Sequence, residues 1–135
     1  MGKAVGILLL VLAASQSTGQ AAEVDWNLVE MTLVAEAASE GYSGMLAVAE
    51  VMRERGWSMR PFCASRRKDL AGFVAKQGAK VRKLAKLAIT EARAGSQTVK
   101  GASHYENIEA FGMPTWAKGK PVLAKVGAHS FWRLP

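Results

Sequence analysis

Apolar positions recur at helical spacing through the first two thirds of the chain, then give way to short runs rich in β-branched and aromatic residues. Asp25 suits the N-cap of a helix beginning at Trp26, for which Leu28, Met31 and Ala35, with Leu33 or Val34 beside them, are the predicted buried stripe. Glu40-Gly41-Tyr42-Ser43 is the predicted end of that helix, with Gly41 in the left-handed position past it. Ser43 is then the predicted cap of a second helix that turns Met45, Val48, Ala49 and Met52 inward and stops at Gly56. The stretch 56–67 reads as an ordered loop, with Trp57, Pro61 and Phe62 among basic residues. Asp69 caps a predicted short helix through Val74 that stops at Gly78. Lys80 to Ala94 is the clearest amphipathic segment. Val81, Leu84, Ala85, Ala88 and Ala92 form its apolar stripe, and Lys80, Arg82, Lys83, Lys86 and Arg93 take much of the rest. That pattern fits a core helix with a solvated basic face better than a membrane-active one.

Past Gly95, the segments 98–105 and 122–134 read as short strands and structured loops punctuated by glycines. The fold class that follows is α+β, mainly helical with a small C-terminal β region. At 135 residues the chain is long enough to bury one core.

The N-terminus changes this picture. Met1-Gly2-Lys3 is a short positive start, Ala4 to Ala14 is an unbroken small or apolar run, and Gly19-Gln20-Ala21 supplies small residues for cleavage. Residues 1–21 are therefore expected to be a secretory signal peptide, or a weakly hydrophobic signal anchor, ahead of one catalytic domain over 22–135. The run is too short for an ordinary spanning helix. The exported product would work in the periplasm or at the extracellular cell wall.

Cys63 is the only cysteine, so no intramolecular disulfide can form, and its expected role is a small buried hydrophobe. The formal charge is +7, concentrated between Arg53 and Lys100, where thirteen Lys or Arg face only Glu54, Asp69 and Glu91. For an exported chain that patch points to anionic envelope polymers as partners rather than to nucleic acid. A monomer is expected.

Candidate chemistry begins with Glu36, a carboxylate among small apolar neighbours, with Glu40 four residues on. A charge in such a setting must be paired, hydrated or used. One helical turn apart, the two acids are expected to share a face near the helix end and to raise each other's pKa, as general acid catalysis at a glycosidic bond requires. The two histidines each sit in a glycine-flanked aromatic segment, Gly101-Ala102-Ser103-His104-Tyr105 and Gly127-Ala128-His129-Ser130-Phe131-Trp132, with Pro114-Thr115-Trp116 between them. Aromatic rings beside hydrogen-bonding groups suit a sugar-binding cleft.

Taken in order, these segments resemble the bacterial cell-wall hydrolase family typified by spore cortex-lytic enzymes. The resemblance rests on Ala35-Glu36-Ala37, Glu40-Gly41, Gly44 through Val51, Arg55, Gly101-Ala102 with His104-Tyr105, Pro114 with Trp116, and Gly127 with His129 and Phe131. It spans nearly all of 28–133. It implies a lysozyme-like or lytic-transglycosylase-like fold and cleavage of the bond from N-acetylmuramic acid to N-acetylglucosamine in peptidoglycan strands. It also implies Glu36 as the single catalytic acid, with no cofactor and no metal. Glu40, His104, Tyr105, Trp116, His129 and Phe131 become the substrate-binding or supporting residues. One departure stands out: where the family carries a Gln-Phe-Ser type segment, this chain has Pro61-Phe62-Cys63-Ala64-Ser65, without glutamine.

Other readings compete. A hydrolytic muramidase or endolysin would use the same acid and leave reducing ends. A zinc amidase would need His104, His129 and a carboxylate as ligands, but no His-x-x-x-His or paired-cysteine spacing supports it. A non-enzymatic cationic wall-binding protein would use the basic helix and leave the Glu36 and histidine segments without a role.

Overall fold

The computed structural model describes residues 23–135. The expected signal segment lies outside the described residues. Among the described residues, five α-helices, two 3-10 turns and three strands follow one another: α1 (Trp26–Ala37), α2 (Gly41–Glu54), a 3-10 turn (Cys63–Arg66), α3 (Leu70–Gln77), α4 (Ala79–Arg93), β1 (His104–Glu106), α5 (Ile108–Phe111), a second 3-10 turn (Thr115–Ala117), β2 (Ala124–Val126) and β3 (His129–Trp132). The α+β expectation, mainly helical with a small C-terminal sheet, is met.

Local chemistry sets most boundaries. The Asp25 carboxylate accepts the Leu28 N–H at 3.1 Å and opens α1, and Asp69 accepts the Gly72 N–H at 3.1 Å and opens α3. α1 stops at Ala37, three residues before the predicted closure, and α2 begins at Gly41 (φ +69°) rather than after Ser43. Asn107 accepts the Ala110 N–H at 3.0 Å and starts α5, a turn of helix absent from the sequence expectation.

α1 packs on α2, α3, α4 and the Cys63–Arg66 turn. Val29, Leu33, Val34 and Ala37 are fully buried, whereas Leu28, Met31 and Ala35 are only half-buried, which corrects the predicted stripe. The reason is that α1 is apolar on nearly every side and enclosed by several elements, so periodicity cannot choose its face. α2 behaves as expected: Met45, Val48, Ala49 and Met52 are buried against α1 and α4. The α4 face is Ala85, Ala88, Ile89 and Ala92, with Val81 and Leu84 half-buried at its edge.

Charged side chains tie the layers together. The buried Glu50 carboxylate accepts both the N–H and the hydroxyl of Thr98, fixing the turn that leads into β1. Arg53 donates to the carbonyls of Ala92 (2.6 Å) and Ser96 (2.7 Å), closing the C-terminal end of α4. Arg82 on α4 pairs with the nearly buried Glu30 of α1 at 3.1 Å.

The sheet has the antiparallel order β1-β3-β2. His104 lies opposite Trp132, Tyr105 opposite Phe131 and Glu106 opposite Ser130. Val126 pairs with His129 across a two-residue hairpin whose first turn residue, Gly127, has φ +55°, the position where a type II′ turn demands glycine.

Candidate active site

A cleft of about 410 Å³ opens between the C-terminal end of α1, the Pro61–Cys63 segment and β1. Glu36, in the last turn of α1, is half-buried at its wall. The Tyr105 hydroxyl donates to Glu36 Oε2 at 2.9 Å. The Ala64 N–H approaches Oε1 at 3.4 Å, a long contact that leaves this oxygen the freer of the two. Burial, the Glu36 charge and the hydrogen bond to Glu36 all push the Tyr105 hydroxyl well above its ordinary value of 10, so it remains a donor at any working pH.

Register explains why Tyr105 reaches a helix. Its partner Phe131 is buried, with ring centroids 5.7 Å apart, and this packing aims the phenol across the sheet toward α1. His129 packs edge-on to the same phenol at 5.2 Å and pairs through Nδ1 with Glu40 Oε1 at 3.6 Å. The His104 ring leans on Trp116 at 5.2 Å, Trp116 stands edge-on to the buried Trp132 at 5.2 Å, and His104 Nδ1 contacts the Ser103 hydroxyl at 2.9 Å. Burial first, and then the Arg55 charge, holds His104 below its ordinary value of 6.5. Arg55 donates from Nε to the Ser103 carbonyl at 2.7 Å and lies over the Phe62 ring at 5.3 Å. It anchors the start of β1 to the end of α2.

Of the residues singled out from sequence, Glu36, His104, Tyr105 and Trp116 line the cleft. Glu40, His129 and Phe131 do not line it; they stand behind Tyr105. Glu40 is not one helical turn beyond Glu36 on a shared face, because α1 ends at Ala37 and Glu40 belongs to the start of α2. Its carboxylate turns toward His129 and Gly127, where a Cβ would fall 2.6 Å from Oε2. That contact gives the Gly-x-His spacing a physical cause: Gly127 makes room for the acid that pairs with His129.

Arg55, Pro61, Phe62, Cys63 and Glu106 line the cleft but were not singled out as site residues. Arg55 stood only in the matched pattern, and Glu106 had no signal beyond its place next to Tyr105. Cys63 was expected to be buried, but it is exposed at the cleft wall, because Phe62 takes the inward position at the start of the turn. Its sulfur has one polar contact, from Arg66 at 3.6 Å. The segment that departs from the family pattern therefore lies against Glu36. His104 and His129 have separate partners, and among the described residues no three His, Cys, Asp or Glu side chains converge as metal donors.

Two solved structures match over most of the chain. One is the catalytic domain of the germination-specific lytic transglycosylase SleB from Bacillus anthracis, at 22% identity and TM-score 0.56, covering 84% of this chain and 99% of that one. The other is the catalytic domain of Bacillus cereus SleB, at 20% identity and TM-score 0.57, covering 89% of this chain and 100% of that one. The chain has the fold of a SleB catalytic domain. No family model and no curated protein matches it. The lysozyme-like fold expected from the motif resemblance is thus met, and the helical layer plus three-stranded sheet is the SleB-like frame that brings α1 and β1 to one cleft.

Proposed function

We propose that the chain is a peptidoglycan-cleaving glycosidase that breaks the bond from N-acetylmuramic acid to N-acetylglucosamine as a lytic transglycosylase. The observation that carries this is Glu36: a cleft carboxylate with one oxygen held by a permanent phenol donor and the other met only by the long 3.4 Å contact from the Ala64 N–H. The name of the Bacillus anthracis neighbour, a lytic transglycosylase, supports the same reading.

In this reading Glu36 donates its proton to the glycosidic oxygen as the bond to muramyl C1 breaks toward an oxocarbenium-like state. Tyr105 holds the resulting carboxylate in place. The carboxylate then takes the proton of the muramyl C6 hydroxyl, whose oxygen bonds to C1 and closes a 1,6-anhydro ring. The proton returns to Glu36, so the cycle needs no cofactor and no consumed water. The His104–Trp116 pair offers a wall on which a sugar face can stack. Export through residues 1–21 would bring the enzyme to its polymer, and the Lys and Arg of 53–100 would hold it on an anionic envelope.

The test is Glu36→Gln, which keeps shape and hydrogen-bonding capacity but can neither give nor take the proton. Turnover on purified sacculi should fall about a hundred- to ten-thousand-fold, with binding and melting temperature retained. Mass spectrometry of wild-type products should show 1,6-anhydro-muramic ends. Activity of the folded variant within a few-fold of wild type overturns the mechanism, and release of free stem peptides overturns the glycosidase reading.

A further inference from the structure

A second depression lies beside the turn that touches Glu36. It has a volume of about 330 Å³ and is lined by Leu28, Met59, Arg60, Ser65 and Arg66. The Cys63–Arg66 turn joins it to the cleft: Cys63 lines the cleft wall, the Ala64 N–H meets Glu36 Oε1 at 3.4 Å, and Ser65 and Arg66 line the depression. A 3-10 turn rises about 2 Å per residue, so about 6 Å of backbone separates its two ends. The Arg66 side chain reaches back across that distance, since its Nη2 donates to the Cys63 sulfur at 3.6 Å. The segment is held fixed by its own bonds. Phe62 is buried, its N–H donates to the Met59 carbonyl at 3.0 Å, and the Ser65 hydroxyl lies 2.9 Å from the Met59 carbonyl and 2.8 Å from that of Phe62.

Arg60 and Arg66 are both exposed, and among the described residues no carboxylate lies within ion-pair distance of either. Two guanidinium groups on one small depression repel each other, and an anion between them reverses that energy. Leu28 and Met59 make the rest of the lining apolar. The polymer proposed for the cleft carries a matching group close to its cleavage point. Each muramyl residue bears, through its lactyl group, a short peptide with methyl side chains and free carboxylates.

We propose that Arg60 and Arg66 form a subsite for the stem-peptide carboxylates of the muramyl residue bound at Glu36, so that the enzyme prefers peptide-bearing glycan strands to stripped ones. This rests on the glycosidase reading above. The planar fork of a guanidinium matches a carboxylate with two parallel hydrogen bonds, and Leu28 and Met59 receive the peptide's methyl groups. Arg60 and Arg66 flank Pro61-Phe62-Cys63-Ala64-Ser65, the segment in which this chain departs from the family pattern, so the preference is a property of this chain.

The experiment compares kcat/KM on two soluble glycan strands of equal length, both free of phosphate polymer, one with its stem peptides and one stripped of them by an amidase. Wild type should favour the peptide-bearing strand about tenfold, the discrimination that two exposed charge-assisted contacts supply. Arg60→Gln combined with Arg66→Gln should bring that ratio to within about twofold of one, with the change carried by KM. Lys118→Gln combined with Lys120→Gln removes the same charge at exposed positions elsewhere and should keep the wild-type ratio. Amidating the stem carboxylates should cost wild type the same preference, a measurement that needs no variant to fold. The proposal is overturned by an arginine variant that keeps the preference, by an equal fall in the lysine variant, which marks net charge, or by an amidated strand cleaved as well as the free acid. Cleavage of neither strand by wild type defeats the glycosidase reading itself, whereas cleavage of both with equal kcat/KM defeats only the subsite.

Discussion

Tyr105→Phe removes one oxygen and leaves the ring that packs on His129 at 5.2 Å and Phe131 at 5.7 Å. What disappears is the 2.9 Å hydrogen bond to Glu36 Oε2. A hydrogen bond to a charged group contributes about 1.5–3 kcal/mol, and each 1.36 kcal/mol is tenfold in rate. If that bond is formed in full only as Glu36 gives up its proton, turnover should fall about 10- to 150-fold. The folded state loses less, because Glu36 opens onto the cleft and water can replace the phenol. The assay is release of soluble muropeptides from purified sacculi, with urea denaturation in parallel. A double-mutant cycle with Glu36→Gln sharpens it: in the amide background the phenol has no carboxylate to serve, so the stability cost of Tyr105→Phe should shrink. A folded Tyr105→Phe with activity within threefold of wild type refutes the reasoning, as does an equal stability cost in both backgrounds.

Two further outcomes follow from the same geometry. Gly127→Ala should lose about 1–3 kcal/mol, because φ is +55° and the new Cβ would press on Glu40 Oε2, whereas Gly119→Ala, at φ +74° with open space around it, should lose only the backbone part; equal losses in urea denaturation would contradict the Glu40 contact. His104 should titrate below 6.5 by ring NMR, since burial and the Arg55 charge oppose its protonation. The unfolded chain takes up that proton more readily, so the stability this group contributes is present above about pH 6.5 and is lost as pH falls below it; a midpoint at or above 6.5 would remove the argument.

Much of this molecule is legible in its sequence because the deciding interactions are local. Asp25 and Asp69 announce helix starts through bonds to amides three residues on, and the period of 80–94 names a helix with a basic face. Gly127 punctuates the strand-like run 122–134, and the order of the Glu36, His104 and His129 segments resembles a wall-hydrolase pattern. Three things depended on contacts distant in sequence. The face of α1 was chosen by the elements around it, since its own residues are apolar on nearly every side. The partner of Glu36 is Tyr105, 69 residues away, rather than Glu40, because a helix that stops at Ala37 breaks the spacing on which a shared face depends. Cys63 and Glu106 reached the cleft for the same reason: side-chain direction at a turn or a strand end is set by which neighbour wins the core, Phe62 in one case and the Tyr105–Phe131 pair in the other. Periodicity and capping act over one helical turn. A cleft assembled from a helix end, a loop and an edge strand is decided only when those pieces pack.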